Sequence, residues 1–454
     1  MQAHIDQAAP KQRSPLYWVP SAYLTMGLVF VTLNSVAAVM FKNLGMDNGK
    51  AAEYASLLIL AYTIKPLFSP IVEMYRTKKF FVLCAQVGIG IGFGVLALLL
   101  GSATSIAAIL AVLFLISLLG SIQDIATDGV FVTELQAKQQ SFYTGVMSLS
   151  WNLGPIIATG GLVYLSGYLH SQVFGNASTA AGPQWAASWQ VICVLLAALC
   201  LVMPMWHARQ MPPGAPAAHT PTSLKDGFRI MADAFVTFFH KPGIWRMIAF
   251  PLFYLVSIGL IDKVGAFFLV DPRESGGLGL NNEMLGLIYG TCGIAAVLAG
   301  SLLGGIYVSR VGLERCVMKL CIAVNIPNIS FVMLAVAQPD NLYLIAAGVM
   351  VEKFFFGFGV VGLMVYMMQQ MAPGPYVTAH YAFATAFKGL SFMLTGLVSG
   401  HLQQWLGYQS FFVLVMVATI PSFLVVWFAP FPHRGAGQPG HAPPPVPLNK
   451  APAV

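Results

Sequence analysis

Apolar runs, each about as long as a bilayer-crossing helix, recur along the whole chain and are separated by short polar turns. The pattern predicts twelve spans, at about 17–41, 52–73, 79–101, 105–132, 141–168 and 187–206, then 245–270, 284–308, 316–337, 342–371, 376–402 and 408–430. One long polar stretch interrupts them. It begins with Pro- and Ala-rich sequence near Met211 and continues with Ser223-Leu-Lys-Asp, an N-cap pattern that opens a short amphipathic helix ending near Phe239. The expected organisation is therefore an N-terminal six-helix bundle over 1–206, a cytoplasmic linker over 207–242 and a C-terminal six-helix bundle over 243–430. A Pro- and Gly-rich tail, 431–454, is expected to be disordered.

Composition fits this pattern. Of 454 residues 57% are hydrophobic and only 9% charged, against about 25% charged in a typical soluble domain. The net charge of +7 is of the kind that nucleic-acid binders carry, but no basic cluster with interleaved aromatics occurs. The cations follow topology instead. Of 23 Lys and Arg, the outer loops hold only Lys42, Lys50 and Arg273, and Lys65, Lys263, Lys353 and Lys388 fall inside spans. The others lie in the remaining loops and termini, which places both termini in the cytoplasm. The six cysteines show no metal-ligand or disulfide spacing, so no metal and no cofactor is expected. Neither a phosphate-binding Gly-Lys loop nor a nucleophile elbow or zinc-protease motif appears, so an enzyme is not expected. The anticipated partners are a small-molecule solute, protons and the lipid bilayer, with the protein acting as a monomer.

The strongest chemical signal lies in Gly120-Ser-Ile-Gln-Asp-Ile-Ala-Thr-Asp128. Asp124 and Asp128 are four residues apart in an apolar helix and so share one face. Intramembrane carboxylates are costly against lipid, which makes the pair a functional candidate. Two roles remain open: one acid loads and releases a proton or couples to substrate, or both serve as gating partners of a basic group. Lys65, deep in span 2, is such a group, unless its stem only carries its charge to the interface. Glu352 and Lys388 form a second candidate coupling or gating centre, expected as an inter-helix pair because Glu352 and Lys353 point about 100° apart. Gln123, Trp151, Asn152, Asp262, Lys263 and Tyr366 are the candidate substrate contacts, aromatics being suited to sugar faces. The Asp271 loop reads as merely solvated.

Six spans, a linker and six spans is the plan of the major facilitator superfamily. Basic turns after span 2 (Glu73 with Arg76) and after span 8 (Arg310) resemble the inner-face gate of that superfamily. More narrowly, Lys65-Pro-Leu-Phe-Ser-Pro-Ile-Val-Glu73 and Gln123-Asp-Ile-Ala-Thr-Asp128 resemble the muropeptide permease (AmpG-like) and acetyl-CoA transporter family. Phe68 stands where that family usually has Trp, and Glu73 with Arg76 replaces an adjacent acid–base pair. The resemblance covers about Gly27 to Phe428. It implies a proton-coupled secondary transporter that imports a bulky saccharide-type solute, a muropeptide or amino-sugar oligosaccharide, across a bacterial inner membrane by alternating access. A siderophore, acetyl-CoA or a sensor role without transport are the alternatives.

Overall fold

The computed structural model describes residues 14–67, 72, 76–102, 106–135, 137–176, 181–214 and 224–433. Glu73 and the residues 434–454 of the expected disordered tail lie outside the described residues. The described chain is helical throughout, as a bilayer requires, because only intrahelical hydrogen bonds satisfy the backbone in hydrocarbon.

Among the described residues, nine single helices are long and apolar enough to cross a membrane: Pro15–Asn43 (span 1), Lys78–Leu100 (span 3), Ile106–Glu134 (span 4), Val146–Val173 (span 5), Pro183–Gln210 (span 6), Ile244–Val270 (span 7), Asn282–Val311 (span 8), Leu313–Ala337 (span 9) and Leu342–Met371 (span 10). Span 2 is segmented into Asn48–Leu57, Leu60–Thr63 and Lys65–Leu67. The stretch Val377–Val417 holds span 11 and the start of span 12 as two helices. Gly407 splits it at φ 72°, a left-handed conformation that a side chain would disfavour. Span 11 precedes this glycine, and span 12 runs from it through Ile420–Trp427. Twelve helices in two sets of six result. An additional helix, Leu224–Phe239, packs on span 11 with Ala234 and Phe238 buried.

Spans 1, 5, 8 and 10 contain widened π-helical turns at Thr32–Val36, Ile156–Leu162, Gly286–Cys292 and Met367–Met371. Such turns commonly occur at functional places in helices. Two of them meet across the halves, the span 5 turn packing on the span 8 turn. Here Gly160 and Gly290 bring the backbones together, since a Cβ on Gly290 would strike the Gly160 nitrogen. Span 2 likewise packs on span 11, with Gly400 against the Asn48 carbonyl and Gly396 against Ser56 Oγ.

These cross-half contacts lie toward the end carrying the span 1–2 and span 7–8 turns, termed the far end. At the opposite, linker end each half closes on itself. Trp206 Nε1 donates to the Tyr17 carbonyl (2.7 Å) in the first half, and Lys241 Nζ donates to the Pro373 carbonyl (2.8 Å) in the second. Among the described residues the hydrogen bonds between the halves thus gather at the far end, while those named at the linker end lie within each half.

Candidate functional site

Span 4 sets the first charged centre. Asp124 and Asp128 lie one turn apart, and Lys65 Nζ of span 2 reaches Asp124 Oδ2 at 2.6 Å. That lysine stands at the segmented end of span 2, where Lys65–Leu67 forms a short 3-10 turn. Lys65 and Asp124 retain 28% and 19% of their side-chain exposure, so the pair borders open space and is not sealed between helices. Asp128 is more exposed still, and its Oδ1 accepts a 2.7 Å hydrogen bond from the Tyr23 hydroxyl of span 1. Its counter-charge is shared, because Lys65 is already engaged by Asp124. Tyr62 of span 2 closes the back of this centre against Phe30, ring centroids 4.9 Å apart.

The second charged centre belongs to the other half. Lys263 Nζ lies 3.2 Å from its sequence neighbour Asp262 and 3.2 Å from Asn34 Oδ1 of span 1. The Tyr289 hydroxyl donates to the Asp262 carbonyl (2.9 Å) and accepts from Lys353 Nζ (3.0 Å). Lys353 also sits 4.3 Å from the Tyr289 ring centroid, a cation–π contact. Its ammonium is 3.2 Å from Glu352 Oε2, yet neither Glu352 oxygen is aligned for a hydrogen bond with any described residue. The Glu352 side chain is 0% exposed. Asp262, Lys263, Tyr289, Ser35 and Thr159 border a small cleft at the closed end of the space between the halves.

A third polar cluster seals the far end. Asp271 accepts from Lys42 Nζ at 2.6 Å, from Asn48 Nδ2 at 2.8 Å and from the Tyr408 hydroxyl at 2.5 Å. Lys42 and Asn48 belong to one half, Asp271 and Tyr408 to the other. Asn282 Nδ2 adds a 2.6 Å bond to Asn43 Oδ1, and Gln404 Nε2 one of 2.9 Å to Asp47 Oδ1. Asp271 is 5% exposed, so the solvated loop residue expected from sequence is a buried hub. Only its place beside Pro272 at the end of span 7 hinted at this, since partners 223 and 137 residues away in the chain are invisible locally.

Other expected contacts are placed differently. Glu352 pairs with Lys353 and not with Lys388; the lysine stem bends back along its own helix, which the 100° separation of Cβ directions does not prevent. Tyr366 is fully buried, stacked on Phe250 at 4.0 Å, with its hydroxyl donating to the Pro430 carbonyl. It is a packing residue of the second half and presents no face to the cleft. Gln123 is 1% exposed and points into the first bundle, its amide nitrogen without a described partner. Asn152 donates to the Ser148 carbonyl of its own helix (2.7 Å), while Trp151 beside it is half-buried near Phe30. At the linker end Arg76 adopts φ 57° and lies 6.0 Å from the Phe80 ring. Arg310 is exposed and makes no ion pair among the described residues.

Two six-helix halves that meet at one end around a cleft with intramembrane acid–base groups define a multi-pass membrane transporter, not an enzyme. The sequence matches the model of the Major Facilitator Superfamily over residues 21–376, and the chain belongs to that family. Among curated relatives, a "Putative transporter AmpG 4" of Rickettsia conorii is 20% identical over 420 residues, 89% of this chain and 94% of that protein. The "Anhydromuropeptide permease" of Escherichia coli K12 is 22% identical over 387 residues, 83% of this chain and 72% of that one. Both names agree with the AmpG-like resemblance of the span 2 and span 4 motifs. Of solved structures, a D-xylose-proton symporter superposes with a TM-score of 0.67 at 11% identity, covering 91% of this chain and 95% of that one. The nucleoside transporter NupG (D323A mutant) does so at 0.66 and 17%, covering 91% and 98%. At such identities these likenesses concern the fold alone.

Proposed function

We propose that this transporter imports a bulky saccharide-type solute, a muropeptide or amino-sugar oligosaccharide, together with protons across a bacterial inner membrane. The observation that carries the reading is Asp128. It is a carboxylate facing the cleft, held by a tyrosine hydroxyl, one turn from an acid already neutralised by Lys65. Such a group can take a proton without breaking an ion pair of its own, which suits loading and release. The relatives named for anhydromuropeptide transport support the solute class. The basic residues gathered in the linker-end loops favour placing that end, and both termini, in the cytoplasm. In that orientation the cleft faces inward, and the Asp271 cluster is the outer gate that opens as the halves rock. Residues 1–206 and 243–430 are the rocking units, 207–242 joins them, and a monomer suffices.

The test is uptake by proteoliposomes of labelled anhydromuropeptide, an amino-sugar disaccharide, a siderophore and acetyl-CoA, with and without an inward proton gradient. Gradient-stimulated accumulation of an amino-sugar compound supports the reading. Accumulation of only the siderophore or acetyl-CoA replaces the solute while leaving the mechanism. Binding without uptake would make the protein a sensor.

A further inference from the structure

Lys388 lies on span 11 beside Gly389, where a Cβ would come within 3.0 Å of Thr63 Oγ1 on span 2. The two halves therefore approach each other next to this lysine. Lys388 makes no ion pair or hydrogen bond among the described residues, and the ionised side chain whose field reaches it is Lys65, another cation. Lys65 is engaged by Asp124 at 2.6 Å, and Asp128 takes its hydrogen bond from Tyr23. A lysine within a membrane-spanning helix is costly unless paired or wet. Lys388 is half-buried, on the stretch of span 11 that packs against span 2 of the other half. Tyr381, seven residues earlier and so on nearly the same face of the helix, also lies within the field of Lys65 and of Asp128. Its hydroxyl likewise has no described partner.

We propose that Lys388, assisted by the Tyr381 hydroxyl, is the anchor for an anionic group of the transported solute. This rests on the transport reading above and names what the solute must carry. The charges of this region are Lys388 and Lys65, with Asp124 bound to Lys65 and Asp128 one turn further along span 4. They sum to zero. A proton arriving at Asp128 leaves one positive charge in the cleft, and an anionic group cancels it. Solute and proton then travel as an electrically balanced pair, with Lys388 supplying the charge that no protein group neutralises.

The test uses the full chain in lipid nanodiscs and limited acetylation of its amines, read by mass spectrometry. Lys388 is expected to react faster than Lys65. N-acetylmuramic acid or N-acetylglucosamine 6-phosphate should protect it and N-acetylglucosamine should not; the anion that protects identifies the group as carboxylate or phosphate. Equal protection by the neutral sugar, or none by either anion, overturns the proposal. In proteoliposomes Lys388→Gln should raise KM for the anionic solute roughly tenfold or more. It should leave a neutral counterpart nearly unchanged, and Lys388→Arg should recover the loss. Equal losses for both solutes would make Lys388 structural and overturn the anchor. Protection of Lys388 in a protein that accumulates none of these sugars would defeat the transport reading and leave the anion site standing.

Discussion

The two charged centres use similar residue types in different ways. In the second half both pairs are sequence neighbours, Asp262 with Lys263 and Glu352 with Lys353. Lys263 and Glu352 are almost wholly enclosed, with 1% and 0% side-chain exposure. In the first half the acids sit one turn apart on one helix, and their partners come from two others, Lys65 from span 2 and Tyr23 from span 1. A neighbouring pair keeps its ion pair whenever its own helix moves, and here it is the accessory bonds, Lys263 to Asn34 and Lys353 to Tyr289, that cross to other helices. A pair shared between helices changes when the helices do. On the proposed reading the first centre carries the chemistry and the second neutralises charge.

The largest test of that assignment is Asp128→Asn. It should abolish gradient-driven accumulation while leaving exchange of labelled solute between the two sides partly intact, as measured by counterflow in proteoliposomes. Complete loss of solute binding would instead place Asp128 in the binding site. Next comes Lys65→Gln, which strands Asp124; transport should fall about tenfold, equivalent to about 1.4 kcal/mol. Combining it with Asp124→Asn should recover folded yield by size-exclusion chromatography, because the orphaned charge is gone.

Glu352→Gln should act on stability and not on coupling. Removing one member of a buried pair costs about 3–5 kcal/mol, here lessened by the Tyr289 contacts that continue to hold Lys353. A lowered melting temperature with gradient dependence retained per folded molecule is the expected result. Loss of coupling in a normally stable variant would make the two centres equivalent and dissolve the contrast.

The smallest effect concerns Lys241, outside the spans, where burial pushes the ammonium down to about 8. Its two carbonyl partners, Met371 and Pro373, tie the linker end of the second half together. The unfolded chain holds this proton up to about pH 10.4. It therefore binds more protons than the folded protein above about pH 8, and stability should rise with pH through that window. Relative to Lys241→Met, the melting temperature of the unchanged protein should gain slightly between pH 7 and 9. Because the side chain is partly exposed, solvent screening keeps the gain small.

Much of the architecture is legible in the chain because a span is a local property. Twenty apolar residues and a polar turn mark a crossing wherever they fall, and the i, i+4 spacing alone puts Asp124 and Asp128 on one face. Span 2 shows where local reading weakens, since its broken helix would not be recognised by helix length and depends on the regularity of the pattern around it. The partners of those charges were decided elsewhere. That Glu352 turns to Lys353, that Tyr366 stacks into the bundle and that Asp271 gathers Lys42, Asn48 and Tyr408 depend on how twelve helices are rotated and staggered. The sequence by itself determined the number of spans, the membrane setting and the acids of span 4, because hydrophobic length and helical period act within one segment. Only the tertiary structure decided which charges meet and which end is closed, because those depend on contacts between residues hundreds of positions apart.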